Sequence, residues 1–180
     1  YAACAIPKGP NQLIYSYYMP MERASFVSAL DAVVRGAHSI DIAVFSVGNP
    51  DMLAALLAAL RQGGQLRLLL DDDMSWAFKY PCSNCNASPE EMRDWVYPLM
   101  EAGAEIRFME TNHHCRANLL HQKLMITKSA EKTTVLLGSS NFTRAALGTF
   151  QSLNMTGNIE NNYLTSDVAL VQQAQSGFDE

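Results

Sequence analysis

No stretch of this sequence is apolar over the roughly 18 residues that a membrane-crossing helix needs. The longest apolar run, from Met52 to Leu60, is too short. Charge is also sparse: Asp, Glu, Lys and Arg make up 17% of the chain and sum to a formal net charge of −5. That balance argues against tight, unspecific binding to polyanions over a broad basic surface, and leaves room for a local basic site. Low-complexity tracts, internal repeats and linkers are missing, so one domain is expected over residues 1–180. What is present is apolar: 48% of the residues, which excludes general disorder. A chain of 180 residues buries roughly 70% of its unfolded surface and can hold a core without covalent staples.

Cysteine is scarce but suggestive. Cys4, Cys82, Cys85 and Cys115 are the four. Cys82 and Cys85 form a CxxC, and His113-His114-Cys115 follows downstream. Three readings stay open: a structural zinc site built from Cys82, Cys85, Cys115 and a histidine such as His113; disulfides in a secreted or periplasmic protein; or reduced surface thiols. The CxxC lies in an Asn- and Ser-rich loop beside Pro81, which speaks against a thioredoxin-like redox motif. The chain opens on Tyr1 rather than Met, so processing or trimming is expected.

Periodicity orders the rest. A strand is predicted over 11–18, then a helix over 22–35 with apolar Phe26, Ala29, Leu30, Val33 and Val34, stopped by Gly36. A buried strand follows over 39–46. Asn49-Pro50-Asp51 reads as an N-cap with proline at the first helical position, and that helix runs to Gly63-Gly64. A strand over 66–70 ends in Asp71-Asp72-Asp73, and a loop containing the CxxC comes next. Ser88 and Glu91 match a capping box for a helix bearing Met92, Trp95, Val96, Leu99 and Met100, in which Pro98 predicts a kink or an early end. Strands over 104–109, 120–127 and 133–137 and a helix from Ser166-Asp167 to about Ser176 complete the pattern. Strands alternating with helices imply an α/β sandwich with a mixed sheet.

The chemistry concentrates in the second half. His121-Gln122-Lys123 falls in an apolar strand, where a spacing of two puts imidazole and ammonium on one face. An HxK alone also describes two surface polar residues on an edge strand. The next strand, however, ends in Gly138-Ser139-Ser140-Asn141. Glycine permits close backbone approach, and Ser and Asn offer neutral donors. A base or nucleophile, a fixed cation and amide donors in one pocket suit a phosphoryl group. The carboxylates Asp71, Asp72 and Asp73 are the tempting metal ligands, but read more simply as a polar strand end.

With Glu160 in Asn158-Ile159-Glu160-Asn161 added to these motifs, the chain resembles the phospholipase D superfamily, the HKD phosphodiesterases. The upstream strand, helix, Gly63-Gly64 and second strand fit too, so the resemblance covers nearly the whole chain. It implies a phospholipase D-like α/β/α sandwich and an enzyme that is a phosphodiesterase, either hydrolase or transferase. His121 would attack phosphorus and form a phosphohistidine. Lys123 and Asn141 would hold the phosphate oxygens, with Gly138 and Ser140 in the substrate-binding loop. Ser139 would serve the phosphate or His121, and Glu160 would orient a histidine. Neither a cofactor nor a catalytic metal is implied. One departure is plain: Lys128 stands where the family places an aspartate five residues after the lysine, which puts the hairpin's stability in question.

The chain carries a single HxK, so the second histidine is expected from elsewhere. A homodimer partner, as in the small bacterial endonucleases, and the remainder of a longer or cleaved chain are equal alternatives. For substrate, nucleic acid comes first, with Lys123, Arg116, Lys128, Lys132 and Arg144 as a candidate basic mouth or as ordinary solvated charges. A phospholipid comes second, as for a phospholipase D or cardiolipin synthase-type transferase, with Tyr15, Tyr17, Tyr18, Trp76, Phe78 and Tyr80 as a lipid-facing surface or as packing. A non-catalytic half of a two-motif protein is the alternative of another class.

Overall fold

The computed structural model describes residues 4–7, 13–19, 22–71, 89–109, 120–148 and 159–180. The strands are β1 (Cys4–Pro7), β2 (Leu13–Met19), β3 (Ser39–Val44), β4 (Gln65–Asp71), β5 (Glu105–Met109), β6 (Lys123–Lys128), β7 (Thr133–Gly138) and β8 (Glu160–Thr165). The helices are α1 (Arg23–Arg35), α2 (Pro50–Arg61), α3 (Pro89–Glu101), the single turn α4 (Arg144–Leu147) and α5 (Val168–Asp179). All strands join one 8-stranded sheet in the order β1-β2-β8-β7-β6-β3-β4-β5. β3, β4 and β5 run parallel, and every other pairing is antiparallel. The sheet is therefore mixed, as the alternation of elements implied.

The pleat sorts side chains onto two faces. Ile40, Ile42 and Val44 of β3, with Leu66, Leu68 and Leu70 of β4, pack beneath Phe26, Leu30 and Val34 of α1, Met52 and Leu56 of α2, and Trp95 and Leu99 of α3. Ala43, Leu124, Ile126 and Val135 point the other way, against Val171, Ala174 and Phe178 of α5. That is the three-layer α/β/α sandwich. Removing this apolar area from water, at roughly 25 cal/mol per Å², is the main favourable term.

α5 has no fully buried residue, and polar contacts supplement its thin apolar stripe. Asp41, buried on the α5 side of β3, takes Arg67 Nε at 2.7 Å and Nη2 at 2.8 Å. Arg67 Nη1 reaches Asp179 at 2.9 Å, and Gln175 Nε2 donates to both carboxylates, at 3.1 Å to Asp41 and 3.0 Å to Asp179. The hydrogen bond to Asp41 is the main cause that raises the Arg67 pKa. The bonds from Gln175 and Arg67 hold the Asp179 carboxyl below its ordinary value.

Several expectations change in detail. The α2 cap is as read: Asn49 Oδ1 accepts from Asp51 N at 3.0 Å and Met52 N at 3.1 Å. Gly36 closes α1 in a right-handed conformation (φ −84°), so the stop there needs no left-handed glycine. α2 ends at Arg61, and it is Gly63 (φ 86°) that takes the left-handed turn. Pro98 does not end α3, which continues to Glu101. Trp95, Val96 and Leu99 are buried around the proline, and that packing outweighs one missing backbone bond. Met100, grouped with the core face, is 51% exposed. Ser88, the expected cap of α3, lies outside the described residues.

β1 and β8 escaped the sequence pattern. β1 pairs with β2 at the sheet edge, while β8 is central, between β2 and β7. Its buried side alternates correctly (Glu160, Asn162, Leu164), but two of those three are polar. The hairpin that carries Lys128 closes through Ser129: its N–H and hydroxyl meet Lys132 O at 2.9 and 3.1 Å, and its hydroxyl accepts from Lys132 N at 3.2 Å. These bonds hold the turn where the family's aspartate is missing.

Candidate active site

The motif segments converge because β6, β7 and β8 are neighbours in the sheet interior. His121 is not inside the strand: β6 opens at Lys123, which pairs with Val44, the last residue of β3. Beyond Val44 the ladder has no β3 partner to offer, so His121 and Gln122 leave the sheet and are exposed. Outside the pleat, His121 does not share a strand face with Lys123, as a place inside β6 would have required.

Three contacts outside the ladder hold this segment instead. Asp71, fully buried at the end of β4, accepts the Leu120 N–H at 2.6 Å. The expected polar strand end thus becomes, at Asp71, a buried anchor for the residue before the histidine. Lys123 Nζ donates to His121 O at 2.8 Å. The Phe45 ring lies 5.8 Å from the His121 ring, centroid to centroid and tilted by 52°, and 5.8 Å from Lys123 Nζ. Burial lowers the Lys123 pKa, and the Glu160 charge opposes that shift in part.

The loop after β7 is laced to β8. Gly138 pairs with Asn162, and a Cβ on Gly138 would stand 2.2 Å from Asn162 Oδ1 and 2.7 Å from Asn161 O. The close approach that this glycine permits is therefore to β8. Ser139 N donates to Asn161 O at 3.0 Å, and its hydroxyl accepts from Asn161 N at 3.0 Å. The same hydroxyl donates to Glu160 Oε2 in a short hydrogen bond. Ser140 is buried, and its hydroxyl accepts from Asn162 Nδ2 at 2.8 Å. Asn141 Oδ1 is buried and has no hydrogen-bond partner among the described residues. A buried amide oxygen in that condition is costly unless a ligand or water serves it. Phe142 then bonds back to the β3–α2 loop, N to Ser46 O at 3.0 Å and O from Asn49 N at 2.9 Å.

His121, Gln122, Lys123, Leu124, Leu137 and Gly138 line a cleft of about 490 Å³ that is closed on its far side by Leu170, Gln173, Ala174 and Gly177 of α5. The structure thus brings His121 and Lys123 together, with the Glu160 charge acting on Lys123 and Ser139 bonded to Glu160; Gly138 lines the cleft, whereas Lys123, paired with Val44, points to the sheet face opposite α5. Lys128 and Lys132 belong elsewhere. Lys128 ends β6, five residues from Lys123, or about 16 Å at 3.3 Å per residue, so neither lysine lines the mouth. Tyr17 packs inward on Phe26 with ring centroids 5.3 Å apart, which removes it from a lipid-facing surface.

Cys82, Cys85, His113, His114, Cys115, Arg116, Asp72, Asp73, Trp76, Phe78 and Tyr80 lie outside the described residues, as do the side chains of Cys4, Tyr15 and Tyr18. Among the described residues no three His, Cys, Asp or Glu side chains gather as a metal site. Sequence reasoning overlooked Phe45, Asn162 and the anchoring role of Asp71. Only Asn162 left a signal, as the next buried position after Glu160 in a period of two.

A family model described as "Cardiolipin synthase, PLD-like domain" matches residues 14–180. The mitochondrial cardiolipin hydrolase of Xenopus tropicalis is 25% identical over 161 residues, 89% of this chain and 62% of that protein. The chain therefore spans less than two thirds of the length of that relative. NucT from Helicobacter pylori has a similar fold, with a TM-score of 0.67 at 18% identity and 94% of both chains covered. Nuc from Salmonella typhimurium, a phospholipase D family member, gives 0.64 at 21% identity, covering 94% of this chain and 91% of its own. With the fold, the HxK entry to β6 and the family match over residues 14–180 in agreement, the chain belongs to the phospholipase D-like family.

Proposed function

We propose that this protein is a metal-independent phosphodiesterase that works through a phosphohistidine at His121, with nucleic acid as its first candidate substrate. The observation that carries the reading is the Lys123 ammonium. Lys123 is 8% exposed, its ammonium donates to His121 O at 2.8 Å, and the Glu160 charge acts on it. A cation held beside His121 suits a phosphoryl oxygen.

In the first step an imidazole nitrogen of His121 bonds to phosphorus and the ester P–O bond breaks. The leaving oxygen takes its proton from a second histidine, because an alkoxide departs poorly without one. In the second step water attacks phosphorus, gives its proton to that second histidine, and the P–N bond breaks. Lys123 and the Asn141 side chain hold the non-bridging oxygens. Ser139 and Glu160 form one hydrogen-bonded pair at the edge of the site, which fits Glu160 as an orienting carboxylate.

The second histidine comes from a partner motif, in a second copy of this chain or in the remainder of a longer one. Such an interface would bury more than ~2,000 Å² in total and be largely apolar. A phospholipid is the second reading. It is favoured by the name of the curated relative, a cardiolipin hydrolase, and by Leu124, Leu137, Leu170 and Ala174 along the cleft. A secreted or periplasmic location accompanies the disulfide reading of the cysteines.

The test is turnover of single- and double-stranded DNA, RNA and cardiolipin vesicles side by side, in EDTA, with acid-labile, base-stable phosphorylation of His121 sought by mass spectrometry. Phosphohistidine with either substrate supports the reading. Turnover that EDTA abolishes and Mg²⁺ restores overturns it.

A further inference from the structure

His121 is exposed and outside the β6 ladder, so the sheet does not orient its ring. A nucleophile needs orientation: a displacement on the order of 1 Å can cost 10²-fold in rate. The ring that meets His121 is Phe45, which comes from β3's end and belongs to none of the motif segments. Its distance and tilt, 5.8 Å and 52°, fall in the range preferred by aromatic pairs. The same ring stands 5.8 Å from Lys123 Nζ, within cation–π reach.

The mount of Phe45 is rigid on both sides. Val44 before it is paired to Lys123 in the sheet. Ser46 after it accepts from Phe142 N at 3.0 Å, and Val47 bridges to Phe142. The ring is thereby registered to the HxK segment on one side and to the Gly138–Asn141 loop on the other.

We propose that Phe45 is a positioning residue of this site, an aromatic wall that sets the orientation of the His121 imidazole and its separation from the Lys123 ammonium. The inference rests on the reading of His121 as the nucleophile. It predicts that the ring, and not apolar bulk at this place, is what the reaction uses. Leucine keeps the bulk and loses the ring, whereas tyrosine keeps the ring.

The test compares wild type, F45L and F45Y. Histidine ring signals are followed by NMR with ¹³C,¹⁵N-labelled histidine, His121 being assigned through H121N. Steady-state kinetics are measured on whichever phosphodiester the wild type turns over. Thermal melts confirm that each variant is folded, and F45M replaces F45L if the latter does not fold. The His121 ring signals should move in F45L and stay near wild type in F45Y. The kcat should fall about tenfold or more in F45L, with KM within about threefold, and recover in F45Y. A folded F45L with wild-type His121 signals, or with wild-type kcat, overturns the proposal. A wild type that turns over no phosphodiester overturns the functional reading instead, and the His121 signals still decide whether Phe45 orients the ring.

Discussion

The Asp71 carboxylate accepts the Leu120 N–H at 2.6 Å, and so ties the end of β4 to the residue immediately before His121. Asp71 is fully buried, so its removal would leave a buried donor without this acceptor. D71A is expected to lower stability by about 1–3 kcal/mol and to reduce turnover, since the histidine segment loses its anchor. Chemical denaturation and kinetics on one preparation measure both. Wild-type stability with wild-type turnover would remove the anchoring role.

His121 is exposed. H121N should therefore melt like wild type, while turnover drops to background, because a double displacement has no substitute nucleophile. Activity above a few per cent of wild type in a carefully purified variant would reassign the nucleophile.

Lys123 is lowered from the ordinary lysine value by burial, with Glu160 opposing. If its charged form binds the phosphate, activity is lost as pH rises through that lowered pKa. The alkaline limb should fall below the ordinary lysine range near 10.4. K123R, if active, should carry the limb to higher pH. The stability linkage has the opposite sense. Between the folded and unfolded pKa values the unfolded chain holds the extra proton, so this lysine favours folding more as pH rises through that window. An activity profile flat to pH 10.4 would remove Lys123 from phosphate binding.

At Gly138 an added Cβ would meet Asn162 Oδ1 at 2.2 Å and Asn161 O at 2.7 Å. G138A must push β7 and β8 apart at the site, at a cost of about 1–3 kcal/mol. The loop carrying Ser139 and Asn141 moves with them, so turnover should fall as well. A melting temperature equal to wild type would contradict the packing.

The cysteines divide their three readings by two measurements. Thiol titration of the denatured, unreduced protein counts free sulfhydryls, and metal analysis counts zinc. Free thiols with bound zinc support a Cys82, Cys85, Cys115 and His113 site. Blocked thiols without zinc support disulfides and an oxidising compartment. Free thiols without zinc leave reduced surface cysteines.

Much of this protein was legible from local chemistry. Asn49-Pro50 sets the start of α2, because an amide oxygen and a pre-set φ act within a few residues. The apolar positions of α1, α2, β3 and β4 announce their own periods, so the α/β/α layering follows from them. The site motifs HxK and Gly-Ser-Ser-Asn are likewise readable as residue types suited to a phosphoryl group. What failed locally failed for a reason: Glu160 and Asn162 occupy the inward positions of β8, where the apolar pattern expects hydrophobes, because there they bond the hydroxyls of Ser139 and Ser140.

Tertiary structure alone decided the rest. That His121 falls outside β6 depends on where β3 ends, some eighty residues earlier in the chain. The bond from Asp71 to Leu120 spans 49 residues. Phe45 joins the site because β6 returns antiparallel beside β3, whose apolar segment reads as core and nothing more. Lys128 and Lys132, close to Lys123 in sequence, are carried away from it by the length of one extended strand. Sequence thus determined the elements and the chemistry of the motif side chains, since those depend on neighbours along the chain. The sheet order determined which of them meet, since that depends on neighbours in space.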